Sequence, residues 1–326
     1  MSIKTYAQAI KDVLASEMRR DPSVFVMGED VAEQGGIFGC TRGLHDEFGP
    51  ERVRNTPISE NTFVGVGVGA ASAGMRPVVE LSYVDFAYLA MDQLLNQAAK
   101  IRYMFGGKAK VPMVVRTQQG IGRGNAGQHS QSLEAFFVHI PGLKVAIPSS
   151  ASDAAGLLRA AIRDDNPVVF IEHKALYASK CEVPDDEEFI IPFGHCAVLE
   201  HGNDVTVVAT QHCVPKALEA ARKLENEGID VELIDPRTLV PLDMETIVES
   251  VVKTGRAVIV HEAHRTCGIG AEIASQIMEK AFGYLDAPVE RVGARHCTLP
   301  FNIGLENAVI PQVDDIVGAV RKTMHV

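Results

Sequence analysis

Short β-branched runs alternate with stretches of helical periodicity along almost the whole chain. The runs at residues 24–27, 77–81, 111–116, 144–147 and 168–171 are brief, apolar and rich in valine and isoleucine, which predicts buried strands. Between them, residues 86–105 and 152–163 space their apolar positions as helices do. A polar, acidic stretch follows at 182–188, with Pro192 and Gly194 just beyond, and its composition is that of a linker. The alternation then restarts. Strands are expected at 205–209, 231–234, 257–260 and 289–292, helices at 214–227, 243–253 and 271–282, and a terminal helix from Val313. Repeated β-then-α order implies mainly parallel sheets flanked by helices on both faces. Two such α/β domains are expected, at residues 1–190 and 191–326.

The length of 326 residues supports that division, since each half can bury its own core. Hydrophobic residues at 46% and charged residues at 22% describe an ordinary globular protein. A net charge of −11 argues against a nucleic-acid or anionic-membrane partner, because phosphate backbones need a basic face. The first twenty residues carry Lys11, Asp12 and Glu17 among apolar positions at helical spacing, unlike a signal or transit peptide. No apolar run approaches a membrane span, so a cytoplasmic protein is expected. The cysteines, Cys40, Cys181, Cys196, Cys213, Cys267 and Cys297, are scattered without a C-x-x-C pair, which favours reduced thiols over a local metal or redox motif. His261-Glu262-Ala263-His264 does not match H-E-x-x-H, and a structural role is preferred for its histidines.

Several catalytic signatures can be weighed directly. Gly122 to Gly127 spells G-x-G-x-x-G after an expected strand, but it does not open the first βαβ unit and no acidic residue follows at the distance a ribose needs. A loop that lets backbone approach a ligand or a neighbouring subunit fits those glycines better. Gly106-Gly107-Lys108 is followed by Ala109, so there is no P-loop, and no G-x-S-x-G elbow occurs. The most informative stretch is Thr56-Pro57-Ile58-Ser59-Glu60-Asn61, which opens an expected helix at 62–74 holding Gly65, Gly67, Gly69 and Gly74. Each glycine inside a helix costs about 1 kcal/mol relative to alanine, so something must approach this helix closely. Gly65 and Gly69 share a face, which suits tight helix packing. On residue chemistry alone Glu60 is a helix-start carboxylate favoured by the dipole.

Thr56-Pro57-Ile58-Ser59-Glu60 with its glycine-rich helix resembles the beta subunits of the 2-oxo acid (pyruvate) dehydrogenase and acetoin dehydrogenase family. So do Gly28-Glu29-Asp30-Val31, Arg76-Pro77, Asp92-Gln93, Asn96-Gln97-Ala98-Ala99-Lys100, and Tyr103-Met104 with Gly106-Gly107. Further on, Gln128-His129-Ser130-Gln131-Ser132, Pro141-Gly142-Leu143-Lys144-Val145, Ala161-Ile162-Arg163-Asp164 and Asp235-Pro236-Arg237-Thr238-Leu239 match in the same order. The resemblance implies a transketolase-like fold, a pyrimidine-binding domain followed by a transketolase C-terminal domain. It implies thiamine diphosphate as cofactor, with Glu60 as the carboxylate at the pyrimidine N1′, Ile58 and Phe86 lining that pocket, and His129 acting near the reacting centre. An acid–base carboxylate in a partly buried site suits that task.

The same resemblance implies what the chain lacks. Related folds hold Mg2+ and the diphosphate with a Gly-Asp-Gly run and a downstream Asn pair, and neither occurs here. An alpha subunit in an α2β2 heterotetramer is therefore expected to supply those contacts, with a lipoyl acyltransferase core as acceptor. A potassium site is implied at Met113, Ala161, Ile162, Asp164 and Asn166, whose oxygens suit a hard cation. Pyruvate and acetoin are the leading substrates, a branched-chain 2-oxo acid the next. A nicotinamide dehydrogenase and a noncatalytic assembly subunit are the alternatives from other classes.

Overall fold

The computed structural model describes residues 1–325, and they divide into two compact units. The first comprises Met1–Gln119 and Phe136–Phe193; the second comprises Gly120–Ala135 and the residues from Gly194 on.

In the first unit the chain opens with β1 (Ser2–Thr5) and α1 (Tyr6–Arg20). A capping box starts that helix: Thr5 Oγ1 accepts from the Gln8 N–H at 3.1 Å and Gln8 Oε1 accepts from the Thr5 N–H at 2.9 Å. The sheet is built from β2 (Val24–Gly28), β3 (Val53–Asn55), β4 (Arg76–Leu81), β5 (Val114–Gln119), β6 (Lys144–Ala146) and β7 (Val168–His173). Its order within the unit is β6-β7-β5-β4-β2-β3 and every pairing is parallel. Strand β2 and the first halves of β5 and β7 are apolar runs because helices cover both faces, leaving no water side to alternate toward. One such helix is α2 (Glu60–Ser72), and another, α3 (Ala151–Arg163), packs on α1.

Two stretches differ from their expected form. The region expected as one helix from residue 86 begins as a 3₁₀ turn (Val84–Phe86), runs α-helical over Ala87–Met91, widens to a π-helix over Asp92–Ala98 and closes α-helical over Ala99–Met104. The acidic stretch expected as a linker is docked on the unit. Its start belongs to β8 (Lys180–Val183), antiparallel to β1. Arg163 then binds the buried Glu17 carboxylate through Nη2 at 2.7 Å and Glu188 through Nη1 at 2.6 Å. Acidic composition reads as solvated chain only when the acids have no cations to meet, and here they have one.

The second unit is a sheet of β9 (Ala197–Glu200), β10 (Val205–Ala209), β11 (Val231–Asp235), β12 (Ala257–His264) and β13 (Glu290–Ala294). The order is β13-β12-β10-β11-β9, parallel except for the β9 edge. The helices α4 (Cys213–Glu225), α5 (Met244–Thr254), α6 (Ile269–Ala281) and α7 (Val313–Met324) cover it. Strand β9 escaped the pattern because three of its four residues are exposed, so it lacks the apolar signature of its neighbours. Among the described residues no helix is long and apolar enough to cross a membrane.

His261, on β12, is fully buried, and neither ring nitrogen makes a hydrogen bond of normal geometry. Gly268, Gly270 and Gly293 cage it, since a Cβ on any of them would lie within 3.1 Å of the ring. Burial lowers its pKa from 6.5 to about 4, Arg291 pushes the same way, and the Ala263 backbone pulls back. The unfolded chain therefore binds a proton near pH 6.5 that the folded chain refuses until about pH 4. Stability is intact above that window and falls through it, by on the order of 3 kcal/mol at the acid end. Thermal melting of the wild type should lose more between pH 6.5 and 4 than that of His261→Gln; parallel pH profiles would remove His261 as the cause.

Candidate active site

Strand β2 ends at Gly28, where a Cβ would stand 2.5 Å from the Glu80 carbonyl oxygen. Only glycine allows that approach, and it delivers Glu29 to the carboxyl end of the parallel sheet, where open α/β folds bind their ligands. Glu60 is the first residue of α2, and its side chain is 7% exposed. The N-cap, Ser59, spends its hydroxyl on Thr62 Oγ1 at 2.7 Å instead of capping the helix. A carboxylate in that first turn interacts favourably with the unsatisfied helix N–H groups. Among the described residues none hydrogen-bonds the Glu60 carboxylate.

Glu29 responds to the charge of Glu60. Burial raises the pKa of Glu29, the charge of Glu60 raises it further, and Asp30 adds a little. Glu29 Oε1 is buried without a hydrogen-bond partner. Such a carboxylate costs folding stability once it ionises, so the cost is absent in acid and grows as pH rises past the ordinary carboxylate range. Glu29→Gln is expected to raise the thermal midpoint at neutral pH and to lose that advantage in acid. A lowered midpoint at neutral pH would contradict the repulsion.

Helix α2 explains its glycines only in part. A Cβ on Gly67 would lie 2.7 Å from Val79 and 3.0 Å from the Met113 sulfur, and one on Gly65 would meet Gln93 at 3.1 Å. Gly69 faces open space, so the shared Gly65–Gly69 face is not one packed seam within this chain. Phe86 is half-buried and meets Tyr83 edge-on at 6.3 Å, while Tyr83 holds a left-handed φ of 63°. Ile58 is 82% exposed. Ile58, Glu60 and Phe86 thus belong to the first unit, and the helical segment after Phe86 packs on α2.

His129 belongs to the second unit, in the segment Gly120–Ala135. That segment is anchored at Ile121, whose N–H donates to Glu262 Oε1 at 2.8 Å, and the other Glu262 oxygen lies 3.1 Å from His212 Nδ1. The glycines serve backbone packing: a Cβ on Gly124 would sit 2.8 Å from the Phe301 carbonyl, and one on Gly127 would sit 2.5 Å from Thr298. The strand and the loop that a dinucleotide fingerprint needs together therefore fall in different units.

The oxygens expected for potassium lie near one loop, already shared with three cations. Arg76 Nη1 donates to the carbonyls of Ile162 at 3.0 Å and Asp164 at 2.9 Å. Lys144 pairs with the Asp164 carboxylate, and Arg102 donates to Asn166 Oδ1 at 2.7 Å. The carbonyls of Met113 and Ala161 each accept one backbone hydrogen bond, from Val168 and Asp164.

Residue patterns missed one feature altogether. Arg116 is fully buried on β5, with Nε and Nη2 on Glu172 at 2.6 and 2.9 Å and Nη1 on Glu80 at 2.7 Å. Tyr177 donates its hydroxyl to the same Glu172. The available signal was a charged residue inside each of three strands, Glu80, Arg116 and Glu172, and it becomes a cluster only once β4, β5 and β7 are known to be neighbours.

Comparison with known proteins places these features. Residues 3–180 match the family model of the transketolase pyrimidine binding domain, and residues 194–316 match that of the transketolase C-terminal domain. A solved structure described as a split gene transketolase, inactive beta4 tetramer, aligns with a TM-score of 0.79 and 25% identity over 98% of both chains. This is the class of thiamine-diphosphate-dependent enzymes. The pyruvate dehydrogenase E1 component subunit beta of Rickettsia felis is 49% identical over 98% of each chain. The acetoin:2,6-dichlorophenolindophenol oxidoreductase subunit beta of Cupriavidus necator is 47% identical over 97% of this chain and 96% of its own; that of Bacillus subtilis is 46% identical over 98% and 96%. The chain belongs to the family of pyruvate dehydrogenase E1 and acetoin oxidoreductase beta subunits.

Proposed function

We propose that this chain is the beta half of an α2β2 enzyme that cleaves pyruvate by oxidative decarboxylation, or acetoin, and passes the acetyl unit to the lipoyl group of an acyltransferase core. The observation that carries this is Glu60: buried, first in its helix, bonded by no described side chain, and close enough to Glu29 for their charges to interact. Thiamine diphosphate, when bound, supplies a nucleophilic carbon that attacks a carbonyl. The residues present fit its aminopyrimidine half. Glu60 holds or releases a proton at N1′, and Glu29, itself made reluctant to ionise, keeps a second proton site within electrostatic reach. Phe86 offers a half-buried ring, and Ile58 an apolar wall that a partner subunit closes. His129 moves a proton during acyl transfer.

The alpha subunit holds Mg2+ and the diphosphate. Tyr103, Met104 and Phe105, at 86%, 72% and 66% exposure, support a covering partner, because successive exposed side chains of this size are costly in water. Potassium is proposed at Met113 and Ala161, whose carbonyls keep a free lone pair; at Ile162, Asp164 and Asn166 it shares oxygens with Arg76, Lys144 and Arg102. Near-equal similarity to pyruvate and acetoin relatives supports a substrate choice made by the alpha chain.

The test is turnover of the chain purified with its alpha partner, with thiamine diphosphate, Mg2+ and an artificial electron acceptor. Pyruvate, acetoin and a branched-chain 2-oxo acid are run side by side, in potassium and in sodium salts. Turnover of pyruvate or acetoin is the expected result. Turnover of the branched-chain acid alone, or of none of the three in an intact tetramer, overturns it.

A further inference from the structure

Strands β12 and β13 are parallel neighbours, and the loops that follow them leave the sheet side by side. His264 is in register with Ala294, and the Arg265 N–H donates to the Ala294 carbonyl at 3.2 Å. His264 ends β12 and Cys267 lies in the loop after it, while the loop after β13 carries His296 and Cys297. The imidazoles of His264 and His296 meet edge-on, their centroids 5.7 Å apart. The chain turns tightly between His264 and Gly268: Cys267 takes a left-handed φ of 56°, and a Cβ on the next residue, Gly268, would lie 2.4 Å from the His264 carbonyl. Cys267 and Cys297 are both exposed, free thiols.

The tautomer of His264 is set by its partner. Its Nδ1 lies 2.9 Å from the Arg295 carbonyl oxygen, which can only accept, so Nδ1 carries the hydrogen and Nε2 is left as a bare donor atom. A backbone carbonyl orienting one ring nitrogen so that the other can bind is how proteins prepare metal-ligating histidines. Two imidazoles and two thiols are a complete tetrahedral donor set for zinc, and H-x-x-C falls within the spacing such ligand pairs use. Among the described residues these four donors do not already converge on one point, so the exposed side chains must rotate to close around an ion.

We propose that His264, Cys267, His296 and Cys297 form a binding site for a borderline-soft divalent cation such as Zn2+, which fastens the loops after β12 and β13 to each other. On binding, two Zn–S and two Zn–N bonds form, and the two thiols release their protons to solvent. The four residues are other than those proposed to act in the reaction above, and the fate of the site does not depend on that reaction.

The full chain, reduced and stripped with a chelator, is titrated with ZnCl2 while its thiols are labelled with a maleimide and the labelled cysteines are identified by mass spectrometry. Cys267 and Cys297 should label fast without metal and slow together by roughly tenfold or more at about one equivalent of Zn2+, because the metal-bound thiolate is withdrawn from reaction. Replacing Zn2+ by Co2+ should give a thiolate-to-cobalt charge-transfer band that Cys267→Ser and Cys297→Ser each weaken. The double variant His264→Ala/His296→Ala should abolish the protection; His296 is exposed and His264 half-buried, so its fold is checked by an unchanged melting curve. Labelling rates indifferent to Zn2+, or full protection in the double histidine variant, would overturn the site.

Discussion

Glu60→Gln in the assembled enzyme should lower thiamine-dependent turnover by about 10²- to 10⁴-fold, the range expected when a positioned acid–base group is removed. The substitution keeps the size and both polar atoms of the side chain but removes the group that can exchange a proton. The tetramer should survive, because no described residue hydrogen-bonds that carboxylate. Losing the Glu60 charge also removes one of the forces that raise the Glu29 pKa, so Glu29 should ionise at lower pH in this variant. Turnover and the acid limb of its pH profile would be measured together. Unchanged turnover in an intact tetramer would leave the chain a noncatalytic assembly subunit; disassembly would show Glu60 to be structural.

The two α/β folds were legible because a strand buried on both faces must be a continuous apolar run, and a helix between such strands must be amphipathic. Elements lacking those constraints were not legible. The exposed edge strand β9 and the short β1–β8 pair carry too little apolar pattern. The π-helix at Asp92–Ala98 keeps a helical look in sequence although its hydrogen-bond period differs. The candidate site divides in the same way. Glu60 stood out through its setting, a proline-set extended segment running into an improbably glycine-rich helix, but the role proposed for it came from resemblance and not from periodicity. The glycines of α2 announced close approach without saying to what; Gln93, Val79 and Met113 are tertiary answers. The loop around His129 spells a dinucleotide fingerprint but reads better as glycines that permit close backbone approach; what they approach, the backbone at Phe301 and the side chain of Thr298, is a tertiary answer.

Arg116 is the place where the missing tertiary information has the largest energetic consequence. Two buried carboxylates share one guanidinium, and burial raises the pKa of Glu80 against the pull of Arg116, with Glu172 adding to the rise. The trio is balanced only while the cation is there. Arg116→Met fits the volume but strands both carboxylates in an apolar sheet, where breaking a buried pair costs about 3–5 kcal/mol. The expected drop in thermal midpoint is about 10 °C. The deficit should shrink as pH falls, because protonating Glu80, whose pKa burial already raises, removes part of the stranded charge. Arg116→Lys keeps the charge but cannot bind Glu172 through two parallel N–H groups while also reaching Glu80, so it should fall between. The damage should extend to the candidate site, since the Glu80 backbone sits against Gly28 and one Glu80 oxygen against Gly36, on either side of Glu29. A midpoint for Arg116→Met within experimental error of the wild type at neutral pH would mean that the carboxylates discharge at little cost. The network would then not hold β4, β5 and β7 in place beneath Glu29.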